Sequence, residues 1–304
     1  MEGAVSTKRF EGIFPVMMTA YDGDGNVDRL AMAHMTDYLI VSGVHGLVVL
    51  GSNGECPYLV HGQQMEAIDA VVEVCAGRVP VIVGVNERGT DASVKMARCA
   101  ERAGADGLLV ALHVFYPIDE KAVEEHYRRV CGEVGLPVLF YNFPSQSGLK
   151  LSPQAIARLS VIENLVGAKE TIFDLEEVRA LVEATNEDFC VFTGVTLNLV
   201  ATMAAGACGA ICPLPNLIPR KTLDLYEAVV SGDFEKAAGI QNELYAFAPL
   251  LAASPAPHAV LKEALRLLGH PIRPEVKSPL PPLTSQQADL AGQVLRAAGL
   301  ISPG

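Results

Sequence analysis

Eight short apolar runs recur at a steady interval along the chain, and they constrain the fold more than any other feature of the sequence. Each run is nearly continuous in hydrophobicity and rich in β-branched side chains, without the alternation of a half-buried strand. This pattern is typical of strands that are buried on both faces of a parallel sheet. The runs occupy residues 12–19, 46–51, 79–85, 107–112, 137–142, 165–170, 189–194 and 206–212.

Amphipathic segments separate these runs and predict helices. Residues 90–104 carry apolar side chains at helical spacing, and we expect the Thr90–Asp91 pair to cap the start of that helix. Residues 152–159 begin with Ser152 as the N-cap and Pro153 at the first helical position. Eight strand–helix units in a chain of this length favour a (β/α)8 barrel over an open doubly wound sheet. No GxGxxG motif follows any of the runs, which removes the main reason to expect a dinucleotide-binding fold.

The pattern changes after the eighth run. Residues 219–268 are mostly helical in character, a proline-rich link follows at residues 278–283, and residues 285–298 can form one last helix. We therefore predict an α/β fold, a (β/α)8 TIM barrel over residues 1–218. A C-terminal helical extension of the same domain is predicted over residues 219–304.

Composition and charge exclude several classes of partner. The 304 residues carry a net charge of −12 without a basic cluster, which disfavours nucleic acid and anionic membranes. The apolar runs are too short to span a bilayer, and the first ten residues lack the apolar core of a secretory signal. The seven cysteines are odd in number and lie mostly in apolar segments, which is typical of reduced thiols. The expected location is the cytoplasm.

Two spacings resemble metal sites but lack the required ligands. Cys208 and Cys212 lie four residues apart, but no second pair or nearby histidine completes a zinc site. The acidic residues of 22–28 alternate like the start of a calcium loop, yet Val27 and Ala33 stand where glycine and glutamate are needed. We expect a solvated turn there, and neither a metal nor a cofactor in the protein.

Polar side chains occur at the carboxyl ends of the predicted strands, where a barrel carries its chemistry. Ser52 lies in a Gly-Ser-Asn-Gly-Glu turn after the second run, Tyr141 lies at the end of the fifth, and Lys169 at the end of the sixth. Burial disfavours the charged form of a lysine, and a neutral amine can attack a ketone to form a Schiff base. A neighbouring tyrosine can move the protons, and the turn can hold a carboxylate through its amides and the Ser52 hydroxyl.

Each of these residues also has an ordinary structural explanation. Lys169 alone is more simply a strand end that reaches water, and Tyr141 alone is more simply a core tyrosine with a satisfied hydroxyl. The turn around Ser52 needs glycine and asparagine for its geometry. Only the combination of these residues at the strand ends of one barrel favours a catalytic role over a structural one.

The combination resembles the dihydrodipicolinate synthase / N-acetylneuraminate lyase superfamily of class I, Schiff-base aldolases, along nearly the whole chain. The glycine-hydroxyl loop of that family is matched by GSNGEC at residues 51–56, and its YNxP turn by YNFP at residues 141–144. The catalytic lysine of the family lies 28 positions after the tyrosine, which is where Lys169 stands. The segment at the eighth strand is matched by GACGAICPLPN at residues 206–216.

The resemblance implies a role for each residue of the main constellation. Lys169 is expected to form the Schiff base with pyruvate or another 2-oxo acid, and Tyr141 to shuttle protons. Ser52 and Asn53 are expected to hold the carboxylate of the 2-oxo acid and to join the proton relay, with Gly51 in the same loop.

The resemblance also extends to the rest of the pocket and to the assembly. Gly194 and Ile211 are expected to line the pocket. From its position two residues after the lysine, and not from the resemblance, we expect Thr171 to contact the distal part of the substrate. Family members are commonly homotetramers built from dimers, and a tyrosine usually reaches into the site of the neighbouring subunit. Phe115 is the nearest match to that tyrosine and is followed by Tyr116.

Three departures from the family pattern bear on the substrate. Asn53 replaces the usual threonine, as in the aldolases of 4-hydroxy-2-oxoglutarate and 2-keto-3-deoxy sugar acids. Gln146 stands where dihydrodipicolinate synthases carry an arginine for the aldehyde's carboxylate, and an amide lacks that charged fork. Thr196 and Leu197 stand where neuraminate lyases carry an acidic pair, which argues against sialic acid.

The leading hypothesis is therefore a Schiff-base lyase or aldolase that cleaves or condenses a small 2-oxo acid, with pyruvate and an aldehyde as partners. A dehydratase of 2-keto-3-deoxy sugar acids uses the same iminium and is not separated by the sequence. Dihydrodipicolinate synthase is the named alternative. A catalytically silent 2-oxo acid binding protein on the same fold, motivated by Phe115 and Asn53, is a further alternative from another class.

Overall fold

Eight parallel strands form one closed sheet in the computed structural model, which describes residues 10–302. The strands are Gly12–Pro15 (β1), Leu47–Val49 (β2), Val81–Val85 (β3), Gly107–Val110 (β4), Val138–Asn142 (β5), Leu165–Glu170 (β6), Cys190–Thr193 (β7) and Gly209–Cys212 (β8). Neighbours pair in chain order from β2 to β8, and β8 pairs with β1. A parallel bridge between Val16 and Val48 joins β1 to β2 and closes the ring.

Helices surround the sheet and continue beyond β8, so the predicted barrel with C-terminal helices is confirmed. They are Arg29–Val41 (α1), His61–Cys75 (α2), Thr90–Arg102 (α3), Glu120–Cys131 (α4), Pro144–Ser147 (α5), Pro153–Leu159 (α6), Leu175–Ala184 (α7), Leu199–Ala204 (α8), Pro219–Val230 (α9), Phe234–Leu244 (α10), Ala248–Ala252 (α11), His258–Leu267 (α12) and Ser285–Ala297 (α13). None of the helices in the described residues has the length and hydrophobicity needed to cross a bilayer. The division of the chain at residue 218 stays a prediction.

Aromatic rings contribute to the packing of the barrel interior. The Phe14 ring packs edge-on against Phe10, with ring centres 6.0 Å apart, and against Phe192 at 5.7 Å. All three side chains are buried and belong to an inner apolar cluster that is distinct from the layer between sheet and helices. A packed interior of this kind leaves the carboxyl ends of the strands as the place for a pocket.

The two helix starts predicted from the sequence have different outcomes. The start of α6 is confirmed, because Ser152 accepts a hydrogen bond from Ala155 N at 3.2 Å. The predicted cap of α3 is wrong: Gly89 is the N-cap, without a side-chain bond, and Thr90 is the first helical residue. The Thr90 hydroxyl is instead hydrogen-bonded to His126 Nδ1 on α4 at 3.0 Å, which ties two neighbouring helices together.

Residues 22–28 form the predicted turn. Asp22 Oδ1 accepts from the amides two and four residues later, at 2.9 and 2.8 Å. Asp28 caps α1 by accepting from Ala31 N at 3.0 Å. These carboxylates serve the backbone, as aspartates in turns and at helix starts commonly do.

The cysteines are free thiols, and five of the seven are buried. Burial raises the pKa of the Cys56 and Cys212 thiols to about 11 and that of Cys131 to about 12. These three groups are therefore neutral at neutral pH and pack as small apolar side chains.

Candidate active site

Lys169 and Tyr141 lie side by side inside the carboxyl-terminal end of the barrel. They are register partners across the β5–β6 pair, so their side chains leave the sheet on the same face. Lys169 is 2% exposed and Tyr141 4% exposed. The Lys169 Nζ atom lies 4.0 Å from the centre of the Tyr141 ring. The lysine is thus not a strand end that reaches water, because its amine is held over an aromatic ring in a buried position.

Ser52 reaches the same place from the opposite side of the barrel. It begins a 3₁₀ turn, Ser52–Gly54, that follows β2. Its Oγ atom is 3.2 Å from the Tyr141 hydroxyl, and either oxygen can donate. The contact links the turn after β2 to the phenol beside Lys169, so a proton can pass between Tyr141 and Ser52.

The backbone around this turn adopts an uncommon conformation. Leu50 and Glu55 flank it with φ of 57° and 60°, in the left-handed region that side chains other than glycine rarely occupy. Both residues are fully buried. The Leu50 carbonyl accepts from Asn86 Nδ2 at 2.8 Å, which secures the entry of the turn. Gly51 lies against Val16, and a Cβ there would overlap the valine side chain.

Gly194 and Thr171 form the wall next to the amine. A Cβ on Gly194 would overlap Thr171 Oγ1 and would lie 3.1 Å from Lys169 Cε, so both side chains lie close to Gly194. The backbone fixes this arrangement, since Thr171 N donates to Asn142 O at 2.9 Å. The Thr171 hydroxyl is buried without a hydrogen-bond partner in the protein. Its hydrogen-bonding capacity is thus not used within the described residues.

Ile211 and Phe143 complete the surroundings of Tyr141. Ile211 is fully buried and belongs to the inner cluster that also contains Tyr141. The Phe143 ring is stacked on the Tyr141 ring, with centres 5.8 Å apart and planes inclined by 24°. The phenol is thus fixed by apolar contacts on its ring and by Ser52 at its hydroxyl.

The remaining predicted site residues lie farther out. Asn53 is half-buried beside Ser52, and Gln146 is exposed on the short helix α5. Phe115 is 90% exposed and touches the ring of Tyr116, with centres 5.0 Å apart. No contact in the described residues joins Gln146 or Phe115 to Lys169, and their roles stay predictions.

Glu170, the residue after the lysine, faces the other side of the sheet, towards the helices. Its Oε2 atom accepts from Asn142 Nδ2 at 2.7 Å. Both side chains lie close to Glu177 and the apolar residues Ile156 and Leu181. Burial raises the pKa of the Glu170 carboxyl to about 7, while the Asn142 hydrogen bond acts in the opposite direction. Sequence reasoning did not assign this pair a role.

A second group of polar residues was also missed. The Glu55 carboxylate, at the end of the Ser52 turn, is paired with the Lys262 ammonium on α12, and both side chains are fully buried. His258 Nε2 on the same helix lies 3.0 Å from the Ser52 carbonyl. The available signal was a lysine inside the apolar run AVLKEAL, because a charge on the apolar face of a helix requires a buried partner.

The chemistry of the site is that of an amine, a phenol and hydroxyls. Within residues 10–302, no three histidine, cysteine, aspartate or glutamate side chains are grouped closely enough to hold a metal ion. An amine beside a phenol can form an imine with a ketone and exchange protons with it.

Comparison with known proteins agrees with this chemistry. Residues 9–298 match the model of the dihydrodipicolinate synthetase family. The probable 2-dehydro-3-deoxy-D-pentonate aldolase YjhH of Escherichia coli is 31% identical over 298 residues, which cover 97% of this chain and 99% of that protein. A 4-hydroxy-tetrahydrodipicolinate synthase of Methylobacterium radiotolerans is 32% identical over 293 residues, covering 96% and 97% of the two chains.

The same relationship is found among solved structures. YagE, a prophage protein of the dihydrodipicolinic acid synthase family from Escherichia coli, was solved in complex with pyruvate. It superposes with a TM-score of 0.93 at 29% identity, over 96% of this chain and 99% of YagE. The chain therefore belongs to the dihydrodipicolinate synthetase family, and with it to the class I lyases that work through a Schiff base.

Proposed function

We propose that Lys169 forms the Schiff base, with the ketone of pyruvate or a larger 2-oxo acid. The observation that carries this proposal is the buried Lys169 amine, 4.0 Å from the centre of the Tyr141 ring, with Ser52 Oγ 3.2 Å from the Tyr141 hydroxyl. Each residue alone has a structural explanation, but their contact at the ends of β2, β5 and β6 brings together the groups that imine chemistry needs.

The reaction begins with attack of the neutral Lys169 amine on C2 of the 2-oxo acid. The C2 oxygen leaves as water after it receives protons, and the product is an iminium. Loss of a proton from C3 gives an enamine, whose C3 adds to an aldehyde carbon in the direction of condensation. In the direction of cleavage, the C3–C4 bond breaks and its electron pair moves into the iminium. Tyr141 carries the protons, with Ser52 as its relay partner.

The turn after β2 holds the carboxylate of the 2-oxo acid. The first amides of a helical turn have no partner inside the turn and favour an anion. Ser52 and Asn53 add a hydroxyl and an amide side chain at that position. Gly51 allows the close approach of the turn to the barrel, because a side chain there would overlap Val16.

The aldehyde partner is a small hydroxylated aldehyde, as for 2-keto-3-deoxy sugar acids. Thr171 Oγ1 supports this proposal, since it is a buried hydroxyl without a protein partner beside Lys169. Gln146 supports it as well, because a neutral amide gives a carboxylate-bearing aldehyde no charged fork. The relationship to YjhH, named as a pentonate aldolase, points the same way.

Dihydrodipicolinate synthase remains the second candidate, supported by relatives of that name at 31–32% identity. Turnover assays separate the two: pyruvate with aspartate semialdehyde tests the synthase, and pyruvate with glycolaldehyde or glyoxylate tests the aldolase. Release of water from a 2-keto-3-deoxy sugar acid without C–C cleavage identifies a dehydratase.

Borohydride trapping tests the imine itself. Incubation with pyruvate and borohydride, followed by peptide mapping, is expected to place the added mass on Lys169. Lys169→Met removes the amine and is expected to abolish the adduct, whereas Lys150→Met, at an exposed lysine paired with Glu177, is the matched control and keeps it. An adduct on another lysine refutes the assignment. An adduct on Lys169 without turnover of any aldehyde identifies the silent binding protein.

We further propose a homotetramer in the cytoplasm. Three aromatic side chains near the mouth of the barrel support assembly, because large exposed apolar groups favour burial in an interface. They are Phe115, Tyr116 and Phe173, at 90%, 74% and 75% exposure. Analytical ultracentrifugation tests the assembly: a monomer at micromolar concentration contradicts it, and Phe115→Asp is expected to weaken it.

A further inference from the structure

The turn that carries Ser52 and Asn53 holds a backbone conformation that is costly in isolation. Leu50 and Glu55, at its two ends, have φ of 57° and 60°, and neither is a glycine. Residues persist in such conformations only where the surrounding structure enforces them, and they are concentrated at functional sites. Contacts from the C-terminal part of the chain enforce the conformation of this turn.

Glu55 is secured by the C-terminal part of the chain. Its Oε1 atom pairs with Lys262 Nζ, and its Oε2 atom accepts from Lys277 N at 2.6 Å. Lys262 also donates to Glu275 O at 2.7 Å and lies 4.2 Å from the centre of the Tyr21 ring. Burial lowers the pKa of the Lys262 ammonium, and the contact with Glu55 acts in the opposite direction.

His258 secures the other end of the turn. It lies four residues before Lys262 on α12, so the two side chains leave the helix on the same face. Its Nε2 atom is 3.0 Å from the Ser52 carbonyl oxygen. A carbonyl only accepts, so Nε2 carries the proton and donates. Burial lowers the pKa of the His258 imidazole, which is consistent with the neutral ring at neutral pH.

We propose that His258, Lys262 and Glu55 are positioning residues. Through them, α12 holds the Ser52–Asn53 turn in the position where Ser52 contacts the Tyr141 hydroxyl and the turn binds a carboxylate. This inference rests on the proposed function of that turn. The three residues act through the turn: in the described part of the chain they contact its backbone, one another, the Tyr21 ring and the segment at residues 275–277, but not Lys169. The 3.2 Å contact between Ser52 and Tyr141 has little tolerance, because a shift of about 1 Å breaks a hydrogen bond.

The histidine gives the milder test. His258→Leu removes the donor and keeps the bulk, and His258→Gln places an amide N–H near the position of Nε2. With pyruvate as the probe, the concentration for half-maximal borohydride trapping is expected to rise about ten-fold or more in His258→Leu and to return to within about three-fold in His258→Gln. A merely structural role predicts a lower Tm with an unchanged dependence on pyruvate.

Asn164→Ala is the matched control for stability. Asn164 is buried at the other end of the barrel, and its amide donates to the carbonyls of Cys131, Val134 and Leu136 at 3.0–3.1 Å. Its loss is expected to lower Tm without altering the dependence of trapping on pyruvate. If Asn164→Ala and His258→Leu change that dependence equally, the positioning role of His258 is refuted.

The ion pair requires a double substitution. Removing one partner leaves a buried charge unpaired and can prevent folding, whereas removing both is tolerated better. Glu55→Gln combined with Lys262→Met is expected to fold and to raise the half-maximal pyruvate concentration, as His258→Leu does. A folded double variant with wild-type trapping overturns the inference for the pair.

Hydrogen exchange separates failure of this inference from failure of the proposed function. If the wild-type protein is not trapped by any 2-oxo acid, the Schiff-base assignment fails, but the amides of residues 51–56 still report on the turn. Faster exchange there in His258→Leu, with unchanged exchange in the strands, supports the positioning role. Unchanged exchange at residues 51–56 overturns it.

Discussion

Replacement of Glu170 by glutamine is expected to stabilise the protein at alkaline pH. Burial raises the pKa of this carboxyl from 4.5 to about 7. A raised pKa means that the folded state binds the proton more tightly than the unfolded state between these two pH values. The free energy of unfolding therefore falls as pH rises from 4.5 to about 7, and the loss is complete above that.

The size of the effect follows from the same two values. The interval between the two pKa values, 4.5 and about 7, is worth about 1.4 kcal/mol for each unit. Ionisation of the Glu170 carboxyl therefore lowers the free energy of unfolding by about 3 kcal/mol. Glutamine cannot ionise, and its carbonyl can still accept from Asn142 Nδ2, as Glu170 does at 2.7 Å. Glu170→Gln is thus expected to gain up to about 3 kcal/mol over the wild type at pH 8 and little at pH 4.5.

Urea denaturation at pH 4.5, 6, 7 and 8 measures this difference. Glu176→Gln is the matched control, because that carboxylate lies on α7 with 77% exposure of its side chain and pairs with Arg179. The control is expected to change stability by less than about 1 kcal/mol at every pH. If the difference between Glu170→Gln and the wild type is constant from pH 4.5 to 8, the argument from burial is refuted.

Three further predictions concern the pocket. Tyr141→Phe keeps the ring beside Lys169 but loses the hydroxyl that contacts Ser52 at 3.2 Å. We therefore expect kcat to fall about 10²–10⁴-fold with little change in Tm, and an unchanged kcat contradicts the proton shuttle. Ser52→Ala is expected to raise the half-maximal pyruvate concentration in the trapping assay, and a wild-type value contradicts its role at the carboxylate. Gly194→Ala places a Cβ where it overlaps Thr171 Oγ1, so we expect the free energy of unfolding to fall by about 1–3 kcal/mol and trapping to be slower. A second change, Thr171→Ala, is expected to restore both in part, and the absence of any restoration contradicts the contact.

Local patterns were sufficient to predict the barrel and the proximity of Tyr141 and Lys169. The eight apolar runs give eight strands, because a continuous run of that length is compatible with a strand buried on both faces. The parallel sheet then brings Tyr141 and Lys169 into register, since neighbouring strands present their carboxyl ends at the same edge.

Contacts between distant parts of the chain could not be predicted in this way. Glu55 and Lys262 are 207 residues apart, and no periodicity connects a loop after β2 with a helix beyond β8. The cap of α3 was predicted wrongly for a related reason: the Thr90 hydroxyl could bond its own helix or another, and His126 on α4 provides the partner. Short-range rules give the geometry of one segment, whereas these side chains are satisfied by tertiary partners.

The ring packing in the barrel has a consequence for the order in which substrates bind. Phe10, Phe14 and Phe192 form a chain of ring contacts inside the barrel, so we expect a substrate to approach from the carboxyl ends of the strands. Lys169 is buried inside the barrel, with 2% exposure. A molecule that occupied the carboxyl ends of the strands first would obstruct access to the Lys169 amine. We therefore expect an ordered mechanism in the condensing direction, in which the 2-oxo acid binds before the aldehyde and leaves only within the joined product.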